Sequence, residues 1–248
     1  MSQPLSILDA ASDAASAALE NLDWPSLAFN AQTVLKEDET NPVAWSYLGI
    51  AYLHLGLEKN SKDLVEQGFN CHQTAITYGP DNIIALGNCA LAFGRIEDFN
   101  SALRIVRKGT DLSPDTLKLW QLQSVFELKL RQIDDADRSI AHVFRLSPRP
   151  FTFIIPMNYL YIDEQPYPIK GEVGINIYQL EDDSYVCEET EYEVYGTGPS
   201  FKEAFADFSD YFDTLIEEYV NTKDPLDEGA QELAANLRNL IGGPVSAD

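Results

Sequence analysis

The densest run of side chains able to do chemistry is Glu188-Glu189-x-Glu191-x-Glu193. Paired carboxylates can act as general acid and base, or hold a hard cation. On a strand, Glu189, Glu191 and Glu193 would share one face, and with no strong ligand or base beside them the run reads as solvated. His54, His72 and His142 are too scattered for a metal cluster or a catalytic dyad, and each reads as a helix-surface or packing residue. Cys71, Cys89 and Cys187 are odd in number and lack the close pairing of zinc or redox motifs, so no disulfide framework is expected. Cys89 falls at a packed position, where a thiol behaves as a small hydrophobe. Ser200 has no Gly-x-Ser-x-Gly elbow around it and suits a helix cap better than a nucleophile. No catalytic residue, metal site or cofactor is expected, and the chain reads as a non-enzyme.

The elements that carry these residues announce themselves by spacing. Pro80, Pro114 and Pro148 recur every 34 residues, and between them Leu86 and Trp120, Cys89 and Gln123, Ala90 and Ser124, Phe99 and Ile133, and Ala102 and Ala136 repeat at the same offset. A fixed period of that length, closed by proline, predicts stacked helix–turn–helix units. Ahead of them, Leu5, Leu8, Leu19 and Leu22 predict a first amphipathic helix, and Pro25 opens a second that runs to about Glu37. Trp45-x-x-Leu48-Gly49-x-x-Tyr52 then sets Trp45 and Leu48 on one helical face, with Gly49 admitting a close neighbour.

These residues resemble the tetratricopeptide repeat family. Trp45, Leu48, Gly49 and Tyr52 match the first half of its pattern; Leu86, Cys89, Ala90, Phe93, Phe99, Ala102 and Pro114 match a whole repeat, and Trp120, Ser124, Ile133, Ala136 and Pro148 a third. The resemblance covers roughly residues 8–150. Pro80 follows Trp45 by seven residues more than the pattern allows, so Gly56–Leu64 is expected to lengthen the turn or second helix of that repeat. The resemblance implies a concave wall built from first helices. In this register it carries Ser46, Ile50 and Leu53, then Gly87, Leu91 and Arg95, then Gln121, Val125 and Leu128. So apolar a wall suits an amphipathic helix of a partner, and disfavours a clamp for carboxylate-ended peptides. The chain's own C-terminal part is the other candidate to fill it. As a strip outside the repeat core, the wall is expected to accept a charged residue without unfolding.

After Pro148-Arg149-Pro150 the character changes. Phe151–Ile155 is aromatic and β-branched, and Tyr159–Pro168 reads as a linker or edge segment. Val173–Leu180 and Tyr185–Glu191 predict two strands about a polar turn, and Val194-Tyr195 a third. Ser200-Phe201-Lys202-Glu203 forms a capping box, opening a helix whose Phe201, Phe205, Phe208, Phe212, Leu215 and Tyr219 make one apolar stripe. Ala230–Ile241 predicts a last helix before Gly242-Gly243-Pro244. Residues 170–220 resemble HicB-like antitoxin domains through Gly196, Gly198, Ser200, Glu203 and Ala204, although that family's Gly-Gly hairpin and Pro-Asp-x-Pro-Gly segment are missing. The expected fold class is α+β: an all-α repeat array over residues 1–150, then a small β-β-β-α domain with a C-terminal helix over 151–248.

Charge divides the chain at the same place. Residues 1–150 hold 19 acidic and 13 basic side chains, a net of −6, and residues 151–248 hold 21 and 4, a net of −17. Such a half repels phosphate backbones, so nucleic acid is not an expected partner; a basic protein would be attracted. With no Lys or Arg before Lys36 no signal peptide is expected, and no apolar run is long enough to span a membrane, so the chain reads as cytoplasmic. The function expected is a scaffold or adaptor that binds a protein partner, either basic or presenting an apolar helix. The alternative is an antitoxin-like regulator whose acidic domain neutralises a basic toxin.

Overall fold

The protein is described from a computed structural model, which covers residues 7–162 and 165–241. Leu5, the side chain of Leu8 and Gly242-Gly243-Pro244 lie outside the described residues. The chain is α+β and divides into two compact units, Met1–Phe126 and Glu127–Asp248.

The first unit is a run of antiparallel helix pairs: α1 (Ile7–Glu20) with α2 (Trp24–Glu37), α3 (Pro42–Glu58) with α4 (Lys62–Tyr78), α5 (Ile83–Arg95) with α6 (Phe99–Leu112), then α7 (Leu117–Lys129), whose last three residues belong to the second unit. One turn design closes the three pairs. Leu22, Asn60 and Glu97 each hold a left-handed backbone, with φ of 56°, 50° and 62°. The amide after each bonds five residues back: Asp23 to the Ala18 carbonyl, Ser61 to Gly56 and Asp98 to Phe93, at 2.9, 2.8 and 3.1 Å. That is a Schellman ending, which satisfies carbonyls the first helix leaves open. The same Asp23, Ser61 and Asp98 then cap the second helix by accepting from the amides of Ser26, Leu64 and Ser101.

Seven extra residues separate Trp45 from Pro80, and both helices of that pair take them up. α3 and α4 have 17 residues each, against 13 for α5 and 14 for α6. Ala90 and Ala102, small residues of the repeat in this unit, are fully enclosed. Trp45 and Trp120 hold equivalent places, each indole N–H donating at 2.7 Å to the carbonyl six residues earlier, Glu39 and Pro114.

The second unit holds α8 (Ile133–Leu146), strands β1 (Thr152–Ile162), β2 (Gln165–Gln179), β3 (Tyr185–Glu189) and β4 (Val194–Gly198), then α9 (Phe201–Leu215), a π-helical turn (Ile216–Val220) and α10 (Glu228–Ile241). The strands form an antiparallel meander in the order β1-β2-β3-β4. Ile155, Met157, Val173, Ile175, Ile177, Cys187 and Val194 are buried on one face, and α9 packs on β1, β3 and β4. Phe201, Phe205, Phe208 and Phe212 are almost wholly enclosed within their own unit, but the expected continuation through Leu215 and Tyr219 is corrected: the π-helical turn buries Ile216 and Val220 and leaves those two half-buried. Packing divides the chain earlier than repeat and charge do at residue 150. α8 ends the repeat period in sequence, yet Asp137 accepts from the Lys202 amide at 3.0 Å and Asp134 from Lys202 Nζ at 2.8 Å, which holds it to the start of α9.

Two further expectations are corrected. Of the two readings of Tyr159–Pro168, linker or edge segment, the linker does not hold: residues 159–162 and 165–168 pair in the long β1–β2 hairpin, which runs from Thr152↔Tyr178 to Ile162↔Gln165 with a register shift between Met157 and Tyr159, and β1 is an edge strand. Prolines are tolerated there because β1 is an edge strand, and the early part of β2 pairs with β1 alone. The Glu189, Glu191, Glu193 run does not share a strand face either. β3 ends at Glu189, whose buried carboxylate accepts from the amides of Glu191 and Tyr192 at 3.1 and 2.7 Å and so caps the turn.

Helix α9 meets β4 backbone to backbone. A methyl on Gly196 would lie 2.0 Å from the Phe208 amide nitrogen, and one on Gly198 would lie 2.6 Å from that of Ala204. No flexible side chain can yield there, so Gly196→Ala is expected to cost more than about 3 kcal/mol, beyond ordinary overpacking. Urea unfolding followed by far-UV circular dichroism checks this; a midpoint equal to wild type would contradict the contact.

Candidate partner-binding groove

Three first helices carry a large residue at the same repeat position: half-buried Trp45 in α3, buried Leu86 in α5 and half-buried Trp120 in α7. Residues two before and two after each of these line two open cavities of the first unit. A cavity of about 310 Å³ is lined by Val43 and Tyr47 of α3, Ser12 and Ser16 of α1 and Ile84 of α5. One of about 160 Å³ is lined by Ile84, Asn88 and Leu91 of α5 and by Lys118, Leu119 and Leu122 of α7. Ile84 belongs to both, so the two are parts of one groove along α1, α3, α5 and α7. Ile84 is half exposed. Gly87 sits at the floor, where an added methyl would come within 3.3 Å of Leu119.

The structure places the wall residues expected from the family register as follows. Leu91 and Gly87 line the groove. Ser46 lies beneath it, fully buried, donating to the Val43 carbonyl at 2.8 Å and accepting from Asn88 Nδ2 at 3.0 Å. Leu53 is buried against Gly68, and Leu128 is buried in the second unit, so neither offers an open surface. The expectation that a charge at Leu53 would spare the fold is therefore corrected: it would be a buried unpaired charge. Ile50, Gln121 and Val125 are half-buried and Arg95 is exposed, but none of the four lines the two cavities. Sequence reading missed Val43, Tyr47, Ile84, Asn88, Lys118 and Leu122. The signal was present, because Ile84 and Asn88 recur 34 residues on as Lys118 and Leu122.

Lys118 is the one charged side chain among the residues lining these cavities, and the Asn88 amide is engaged with Ser46. The lining is therefore mostly apolar, with a few polar side chains among it.

His54, His72 and the three cysteines are packed among other side chains. Trp24 stacks on His54 with ring centroids 3.6 Å apart. All three cysteines are free and buried, and burial raises the Cys89 thiol to about 12. His72 is fully buried between α3 and α5, its Nδ1 3.3 Å from Cys89 Sγ, and its ring fills the space left by Gly49. Its Nε2 has no hydrogen-bond partner. A thiol and imidazole so enclosed reach no substrate. Among the described residues no group of three or more His, Cys, Asp or Glu is placed to hold a metal ion, and no helix is long and apolar enough to cross a membrane.

Burial lowers His72 from its ordinary 6.5 to about 4. As pH falls, the unfolded chain takes up this proton first. The stability that the neutral ring contributes is complete above pH 6.5 and is lost as pH falls to about 4, by about 3 kcal/mol at about 1.4 kcal/mol per pH unit. Urea unfolding at several pH values should show this loss in the wild type and a correspondingly flatter profile in His72→Gln. Parallel profiles would exclude a neutral buried imidazole.

No protein-family model and no curated protein sequence matches the chain. Among solved structures, it is similar to TTC0263, a thermophilic tetratricopeptide repeat protein of Thermus thermophilus, with a TM-score of 0.52 and 16% identity, covering 58% of this chain and 75% of that one. It is also similar to a chain in the structure of Naa15/Naa10 bound to HypK-THB, with a TM-score of 0.50 and 14% identity, over 58% of this chain but only 21% of the other. The helical array thus has the fold of a tetratricopeptide repeat protein.

Proposed function

We propose that the protein is a non-enzymatic scaffold or adaptor, and that the groove along α1, α3, α5 and α7 receives an amphipathic helix of a protein partner. The observation that carries this reading is the continuous apolar lining through Val43, Tyr47, Ile84, Leu91 and Leu122. An apolar strip of that kind left open to water is costly unless something covers it. The Phe201–Phe212 stripe does not compete for it, being buried on its own sheet. A cytoplasmic location belongs to the same reading.

The test uses the full chain with Ile84→Glu and Leu91→Glu combined, set beside Leu53→Glu. The groove pair is expected to keep wild-type helicity and to lose the proteins that the tagged wild type captures from its own cells. A micromolar interaction stores about 8 kcal/mol, and an unpaired carboxylate buried under a docked helix removes several. Leu53→Glu should instead lose helicity. Undiminished capture by the groove pair would refute the groove as the site.

A further inference from the structure

The second unit carries a surface unlike the groove. One face of its sheet is covered by α9, and the other presents Ile154 of β1, Asn176 and Tyr178 of β2, Glu188 of β3 and Tyr195 of β4. Ile154 and Tyr195 are 62% and 61% exposed, far more than the inward residues beside them. Glu188 stands directly across from Tyr195 on one side and Asn176 on the other, with Tyr178 on the diagonal. At such spacings cross-strand side chains touch. The Glu188 carboxylate is thus set between two tyrosine rings, and burial, the charge of Glu188 and the hydrogen bond it accepts from the Tyr178 phenol together raise that phenol. At the β4 edge Tyr211 of α9 lies against Tyr195, with centroids 6.3 Å apart. One helical turn before it, Asp207 accepts the Thr197 amide at 2.8 Å.

No Lys or Arg is among these residues, and among the described residues no Lys or Arg forms an ion pair with Glu188. The surrounding unit is strongly acidic: residues 127–248 hold 25 acidic and 9 basic side chains, a net of −16. A carboxylate flanked by aromatic rings fits a guanidinium, which pairs with the oxygens in its plane and stacks on the rings with its faces. The field of the unit would draw a cation in, and Ile154 offers apolar contact to its stem.

We propose that this open sheet face is a second docking surface, taken by an arginine-bearing segment of a basic protein partner. It acts independently of the groove. The test follows the anisotropy of a fluorescein-labelled hexa-arginine peptide titrated with the full chain at about 0.15 M salt, where diffuse attraction is screened within about 8 Å. Glu188→Gln, and Tyr195→Ser with Tyr211→Ser, should each weaken binding by about tenfold or more, while Glu58→Gln, which removes the same charge from the first unit, should stay within about twofold. Circular dichroism should be unchanged in all of them, since the altered side chains reach solvent. Equal effects of Glu188→Gln and Glu58→Gln, wild-type affinity in the tyrosine variant, or no binding at this salt would each overturn the proposal. Ile84→Ser should leave the peptide's affinity unaltered; a loss there would put the peptide in the groove and overturn it equally, whereas failure of the groove reading alone would leave this result standing.

Discussion

Both units are organised around glycines that let a neighbouring element come close. In the array, the ring of His72 occupies the space that a methyl on Gly49 would need, and Leu53 does the same at Gly68. Leu119 seals against Gly87 and Gly109 together. In the second unit Gly196 and Gly198 let α9 lie directly on β4. Close approach brings more dispersion contacts per helix pair, and it leaves large residues only a few places to go. The four phenylalanines of α9 fill the layer between helix and sheet because the glycines bring the two near enough to enclose them.

The groove follows from the same constraint. Once small residues and the large residues Trp45, Leu86 and Trp120 take up the repeat positions, the positions on either side of each large residue must line the edge of the stack. Their composition was then free to be apolar without disturbing the core. The acidic sheet face arises differently, since alternation along a strand leaves every second residue outside whatever covers the first face. The two surfaces thus have unrelated origins and distinct chemistry.

Much of this was legible in the residues. The 34-residue period, the enclosed alanines Ala102 and Ala136, the Ser200 cap and the phenylalanine stripe all lie where pattern places them, because each depends on local spacing or on a cap within three residues. The β1–β2 hairpin was legible in part, since its tip read as either a linker or an edge segment. Its three prolines, Pro156, Pro166 and Pro168, argue against a central strand, and that they fall where β1 forms the sheet edge is a tertiary fact. Glu189 looked solvated by alternation, yet the strand stops at it and the turn's amides need an acceptor. The cavity-lining positions are displaced from the family register: of its residues Gly87 and Leu91 line the cavities, while Ser46 is enclosed beneath Asn88 of α5 and Leu53 against Gly68 of α4.

The longer α3–α4 pair also says how such an array can grow. Relative to α5 and α6, the ascending arm gains four residues and the descending arm three. At about 3.6 residues per turn each gain is close to one full revolution. The connection therefore leaves α3 from nearly the azimuth it would have had in the shorter repeat, and α4 returns in phase with its neighbours. An addition of two residues to one arm would rotate the exit by about 200° and swing the returning helix to the far side. Length in this architecture is quantised in revolutions shared by both arms, so the protrusion could be gained while the stacking below it kept its pitch.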